Sequence, residues 1–163
     1  MKLLVKEPFV RVFVARADTA PLLERLLTAF DGRIDFQFDH APSESAVYAV
    51  TCRIGRFSVT STDREQPDFI AKTRGIYIVE SIDDVLADAR KHGIAIGQDK
   101  TPVPIDFQAR LEIADGNFLE LAEWTDEHIA ELRADGFSFA GVEGLRPHFS
   151  PSFQGRGWGW VAS

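Results

Sequence analysis

The feature that most constrains this chain is an internal repeat. Two glycines that end helical stretches, Gly32 and Gly93, and two glycines at hairpin turns, Gly55 and Gly116, keep one separation of 61 positions (93 − 32 and 116 − 55). The order of elements around them also recurs. In the first copy, residues 10–15 are β-branched and aromatic, as strands are. Asp18 or Thr19 can then cap a helix with Pro21 in its first turn. Leu22, Leu23, Leu26, Leu27 and Phe30 fall on one face of it, and Gly32 ends it. Ile34, Phe36 and Phe38 alternate with Asp35 and Gln37. A polar loop at 40–45 leads to strands 47–54 and 57–61, with the turn expected at Gly55 and Arg56.

The second copy begins with a strand at 75–79. Ser81 caps a helix with Asp84 three residues on, Val85, Leu86 and Ala89 form its apolar face, and Gly93 ends it. Ile94 and Ile96 make a short strand. Residues 107–113 and 117–122 form a hairpin closed at Asp115 and Gly116, a type I′ turn pair. Two βαβββ units of one length indicate duplication within a single domain at 8–124, with modules 8–62 and 73–124. Residues 125–163 differ in character. A short polar helix is expected at 126–134, followed by a glycine- and aromatic-rich tail ending in GRGWGWVAS. Trp158 and Trp160 are too apolar to stand in water without cause. The tail is expected to pack on its own domain or on a second subunit; a lid over a pocket and disorder are the other readings.

Charge and cysteine content narrow the function classes. A net charge of −7 and a pI near 5.1, with scattered Lys and Arg, argue against nucleic acid and against an anionic membrane surface. Cys52 stands alone, which excludes an intramolecular disulfide and cysteine-type zinc sites. The opening MKLLVKEPFVRVFVA is broken by Lys6, Glu7 and Arg11, unlike a signal peptide, so a soluble cytoplasmic protein is expected. GxGxxG, GxxxxGK[ST] and GxSxG are absent as working motifs. GRGWG at 155–159 has neither a strand before it nor a helix after it.

Three segments carry a family resemblance: VRVFVARAD (10–18), GIYIVESIDDVLADARKHG (75–93) and TPVPIDFQARLEIADGNFLELAEW (101–124). With the repeat, they resemble the vicinal oxygen chelate superfamily, which includes glyoxalase I, the bleomycin-resistance proteins and extradiol dioxygenases. The resemblance implies an α+β fold: two paired βαβββ modules forming a cupped, eight-stranded mixed sheet, helices on the convex side and the site in the cup. It also implies that metal-dependent members draw ligands from the first and last strand of each module. In this sequence those places hold Phe9, Val10 and Arg11; Val59, by the repeat offset; Arg74; and Glu120. One carboxylate cannot satisfy a divalent ion. His40, His92, His128 and His148 lack metal-cluster spacing and are expected at the surface. The expectation is therefore a metal-site-deficient member with no metal and no cofactor.

Turn geometry gives a candidate pocket. A loop at Asp115 and Gly116 would pair Ile113 with Phe118 and Leu111 with Glu120; a turn at Gly55 and Arg56 would pair Cys52 with Val59. The expected lining is Phe13, Tyr48, Cys52, Phe57, Val59, Leu111 and Phe118, with Arg11, Arg74 and Glu120 as its polar groups. Glu120 could pair with an arginine, touch a ligand, act as a base or bind a metal. The function expected is metal-independent binding of an aromatic or partly apolar small molecule, as in the drug-sequestering members the resemblance implies. Alternatives are a metal-independent isomerase or cyclase with Glu120 as catalytic base, a metal-dependent lyase or dioxygenase, and a dimerisation module. The expected partners are a small-molecule ligand and a second copy in a homodimer.

Overall fold

The computed structural model describes residues 2–141; His148, Trp158, Trp160 and the GRGWG run lie outside the described residues. Eight strands form one open mixed sheet, β1 (Phe9–Val14), β2 (Arg33–His40), β3 (Ser45–Cys52), β4 (Gly55–Ser61), β5 (Thr73–Ile78), β6 (Ala95–Pro102), β7 (Phe107–Ala114) and β8 (Asn117–Glu123). Their order across the sheet is β2-β3-β4-β1-β5-β8-β7-β6. Within each half the first and last strands run parallel, β1 beside β4 and β5 beside β8, and the halves meet where β1 pairs antiparallel with β5. This is the α+β arrangement of paired βαβββ units.

Helix α1 (Arg16–Ala29) buries Leu23 and Leu26 against Val50, Cys52 and Val59. A one-turn helix, α2 (Asp68–Ala71), links the halves. Helix α3 (Ile82–Lys91) buries Ile82, Val85, Leu86 and Ala89 against Ala109, Leu111 and Leu121. Both long helices thus cover one side of the sheet. Their N-termini are finished by carboxylates at or just past the end of the last strand of the same half. Asp63 Oδ1 accepts from the Arg16 amide at 3.0 Å, and Glu123 Oε2 accepts from the Ile82 amide at 2.6 Å. The Ser81 cap forms as expected, its hydroxyl accepting from the Asp84 amide. The Asp63 cap explains why α1 starts before Asp18 and carries Pro21 in its second turn. The capping group comes from a distant strand, where no local pattern reveals it.

The two glycines that end the helices do so for different reasons. Gly93 adopts φ 71°, the left-handed conformation common after a helix. At Gly32 a side chain has no room: a Cβ would lie 2.5 Å from the Leu26 carbonyl oxygen.

The other side of the sheet is concave, and the chain beyond β8 partly covers it. Helix α4 (Asp126–Ala134) is capped by Thr125 and buries Leu132, and Phe137 follows it. Phe137 stacks on Phe9 at 6.4 Å and meets Trp124 edge-on at 5.7 Å. The same cluster takes in Ala49, Ile76, Ile78 and Ala122 from the concave face. Two arginines of the sheet hold this segment by its carbonyls: Arg33 Nη2 donates to Gly136 O at 2.8 Å and Arg56 Nη2 donates to Ser138 O.

Both hairpin registers differ from those read in the sequence. The first turn falls at Arg53 and Ile54, with Cys52 opposite Gly55 and Tyr48 opposite Val59. Arg56, expected at the turn, is a strand residue with a fully buried side chain. The second turn falls at Asp115 and Gly116 as expected, but the register shifts between Glu112 and Ala114, so Glu112 faces Phe118 and Arg110 faces Glu120. One residue of slip reverses which face a strand residue takes. Replacing Gly32 with alanine is expected to destabilise the fold by about 1–3 kcal/mol through overpacking against the α1 backbone. A lowered urea midpoint with an unchanged slope checks this.

Candidate functional site

The concave face encloses a cavity of about 150 Å³. Phe9, Arg11 and Phe13 reach it from β1, Phe36, Phe38 and His40 from β2, and Ser45, Val47 and Ala49 from β3. Ser58 and Thr60 come from β4, Ile76 and Ile78 from β5, Gln108 and Arg110 from β7, and Glu120 and Ala122 from β8. These residues alternate along their strands, as side chains on one face must; Phe107, the first residue of β7, also lines the cavity, outside this alternation. The rim is made by Gln66 and Ile70 from the connection around α2, by 103–105 between β6 and β7, by Ser43, and by Trp124.

Three charged side chains meet within this mostly apolar wall. Glu120 Oε1 accepts from Arg11 Nη2 at 2.9 Å, and Glu120 Oε2 accepts from Arg110 Nη2 at 2.7 Å. Their side chains are 8%, 11% and 4% exposed, in the order Glu120, Arg11, Arg110. Arg110 Nη1 also donates to Gln98 Oε1, and its guanidinium lies 5.4 Å from the Phe69 ring centroid. Arg11 sits 5.8 Å from the Phe13 centroid. The pairing joins the halves, since Arg11 on β1 reaches past β5 to Glu120 on β8. Burial pushes the Arg110 guanidinium below its ordinary pKa; Glu120 opposes that shift and Arg11 adds to it. The Nε atoms of Arg11 and Arg110 and the Thr60 hydroxyl are buried with no hydrogen-bond partner among the described residues.

A second buried charged group lies deeper, under Phe137. Arg56 sits 4.8 Å from the Phe137 centroid and 5.7 Å from that of Phe9, with its Nε 4.0 Å from Glu7 Oε2. Asp35, its side chain 1% exposed, pairs with Arg33 at 2.7 Å and accepts from the Thr51 hydroxyl. Burial raises the Asp35 pKa, against the lowering effects of Thr51, Arg33 and Arg56. This group anchors the chain after α4.

Of the residues singled out in the sequence, Arg11, Phe13 and Glu120 come together at the cavity. Tyr48, Cys52, Phe57 and Val59 do share one face, as expected, but it is the face under α1. The parallel register beside β1 sets this: Arg11 neighbours Ser58 and Val12 neighbours Val59, so Ser58 takes the cup position and Val59 the helix side. Leu111 lies under α3, because the shift after Glu112 gives its expected place opposite Glu120 to Arg110. Phe118 faces the same side as Glu120 but lies over Gly97, where a Cβ would come within 2.8 Å of its ring. Arg74 is exposed at the irregularity between Thr73 and Gly75. His40 is no loop residue: it ends β2, lines the cavity and contacts the Ser43 hydroxyl at 2.5 Å.

The sequence reading missed Arg110, Arg56 and the aromatic wall of Phe36, Phe38 and Trp124. A signal for Arg110 existed. On β7 the even positions Gln108, Arg110 and Glu112 are polar and the odd positions Ala109 and Leu111 apolar, which suits a helix-covered odd face. A carboxylate on β8 also favours a cation opposite it.

No family model matches the sequence, and no curated protein does. Solved structures do match. A hypothetical protein from Methanosarcina mazei has a TM-score of 0.60 at 17% identity, covering 77% of this chain and 95% of that one. Methylmalonyl-CoA epimerase from Mycobacterium tuberculosis has a TM-score of 0.61 at 14% identity, covering 80% and 95%. A point variant of Streptomyces coelicolor methylmalonyl-CoA epimerase, in complex with 2-nitronate-propionyl-CoA, has a TM-score of 0.53 at 15% identity, covering 77% and 97%. At these identities the likeness is one of fold alone.

The triad makes a stability prediction. Glu120→Leu leaves two buried guanidinium groups unpaired and is expected to cost about 3–5 kcal/mol. The triple variant Arg11→Met, Arg110→Met, Glu120→Leu removes every partner at once and should regain most of that loss. Urea midpoints of the two variants against the unsubstituted protein check both statements.

Proposed function

We propose that this chain binds a small, partly apolar molecule in the cup without the help of a metal ion. The observation that carries this is the cavity itself. Strand faces of both halves wall it with aromatic and aliphatic groups, and among the described residues its charge is confined to Arg11, Arg110 and Glu120. An apolar cleft with a few placed polar groups is the usual make-up of a small-molecule site. A fold neighbour in which an acyl-CoA analogue is bound supports the choice of a small molecule as occupant.

The residues present do not fit a metal of the kind the fold family often carries. Among the described residues, no group of three or more His, Cys, Asp or Glu side chains is placed to hold one. Glu120, the carboxylate at the cavity, has both oxygens engaged by arginines, and two guanidinium groups at one spot repel a cation.

A second reading, a metal-independent isomerase, draws on fold neighbours that are epimerases. It requires Glu120 as the base. Against it, neither oxygen of Glu120 is open to a substrate proton without displacing an arginine.

Thermal-shift and ligand-observed NMR screens against aromatic and acyl compounds test the proposal. A ligand at one hundred times its Kd should stabilise the protein by about 2.7 kcal/mol, equally with and without a chelator. Absence of binding by every compound overturns the proposal, and loss of binding on chelation overturns its metal independence. Turnover of a bound compound that disappears in Glu120→Gln while binding persists would favour the isomerase instead.

A further inference from the structure

The charged side chains that line the cavity do not balance. Among the described residues Arg11 and Arg110 supply two positive charges and Glu120 one negative charge, a formal excess of one positive. The excess is local, since the chain as a whole carries −7. It also differs from the deeper group, where Arg33 and Arg56 are offset by Asp35 and Glu7. An excess charge held among Phe13, Phe36, Phe38 and Trp124 is poorly solvated, and burying charge without a counter-charge is unfavourable. The Nε of each guanidinium is buried with no hydrogen-bond partner among the described residues, as are Nε and Nη1 of Arg56; the uncancelled charge is what sets the cavity pair apart.

From this imbalance we infer that the occupant of the cup is a monocarboxylate with an aromatic or branched apolar body, its carboxylate completing the Arg11–Glu120–Arg110 set. This rests on the binding role proposed above and adds the chemical class of the ligand. One negative charge matches the excess; a phosphate dianion would overshoot it and leave a buried negative charge in its place. Arg11 is the contact point, being the most exposed of the three and lying beside the Phe13 ring. A guanidinium binds carboxylate well because its parallel N–H groups match the two oxygens. The apolar body then fills the space walled by β2, Trp124 and the 103–105 connection. Arg110, fixed by Glu120, Gln98 and Phe69, holds the Glu120 oxygen that Arg11 does not.

Matched sets of probes separate this inference from the binding role beneath it. Each set carries one body (phenyl, naphthyl or isobutyl) bearing a carboxylate, a primary amide or an ammonium group. Titration calorimetry or ligand-observed NMR on the full chain gives the three affinities. The carboxylate is expected to bind at least about tenfold more tightly than its amide, the scale of one charge-assisted hydrogen-bond pair, and the ammonium compound least. In Arg11→Gln, where Glu120 keeps Arg110 and the excess charge is gone, the carboxylate-to-amide ratio should fall close to one. If that variant does not fold, the ratio in the unsubstituted protein decides alone. An amide or amine that binds as tightly as its carboxylate overturns the inference and leaves the binding role standing. A carboxylate preference that survives intact in a folded Arg11→Gln also overturns it, because the anion is then recognised elsewhere. Failure of every probe in every set to bind overturns both.

Discussion

The contact between Glu120 and two arginines is the interaction on which the centre of the molecule turns. Arg11 belongs to the first half, Arg110 and Glu120 to the second, and the bond from Arg11 to Glu120 crosses the seam where β1 meets β5. Apolar packing under α1 and α3 would hold each half in shape without this contact. It is the polar set that fixes what lies between the halves. A carboxylate with both oxygens bonded cannot swing, so the two guanidinium planes are fixed as well. Buried groups of this kind add little net stability, since desolvation offsets most of the attraction. What they add is a defined arrangement of charge on a surface otherwise made of apolar and uncharged polar groups.

The general architecture was legible because it depends on features that sequence carries directly. Equal spacing of Gly32 and Gly93 and of Gly55 and Gly116 gave two units, and periodicity placed a helix in each. The cup was harder to read because it depends on parity. On β7 the register shift after Glu112 turns Leu111 to the helix and Arg110 to the cavity. The turn at Asp115 and Gly116 is where the sequence places it, yet the residues two and three positions before it are misassigned without the shift. On β4 the repeat offset matched Glu120 with Val59, whereas Ser58 holds the cup position. A glycine spacing of 61 thus reveals the duplication but not the registers: Gly116 lies in its turn, whereas Gly55 follows its own and begins β4. The hydrogen-bond partner across a sheet belongs to the tertiary structure, and no local pattern encodes it.

The chain after β8 shows the same division. Its helix was visible from Asp126 onward, and Thr125 caps it. That this helix folds onto the concave side depends on Arg33 and Arg56, which hold the carbonyls of Gly136 and Ser138. Arg56 was read as a turn residue because arginine beside glycine at a hairpin is ordinary. Its place against the stacked rings of Phe9 and Phe137 requires a segment distant in sequence to come back over the sheet. A buried guanidinium survives there because an aromatic face, a carbonyl and nearby carboxylates together replace the water it has lost.

The two buried arginine groups illustrate how one device serves two ends. Under Phe137 the charges cancel and a chain carbonyl takes up a donor from each arginine, so the group holds structure, although Arg56 Nε and Nη1 find no hydrogen-bond partner among the described residues. In the cavity they do not cancel: Glu120 answers only one of the two arginines, and Arg11 borders open space. Selection for stability alone would favour closing the second group too, by one more acid or one fewer arginine, because an excess charge in an apolar wall weakens the fold. An unbalanced set persisting where two halves of a duplicated sheet enclose a cavity is what a site looks like when the missing charge is to arrive with the ligand.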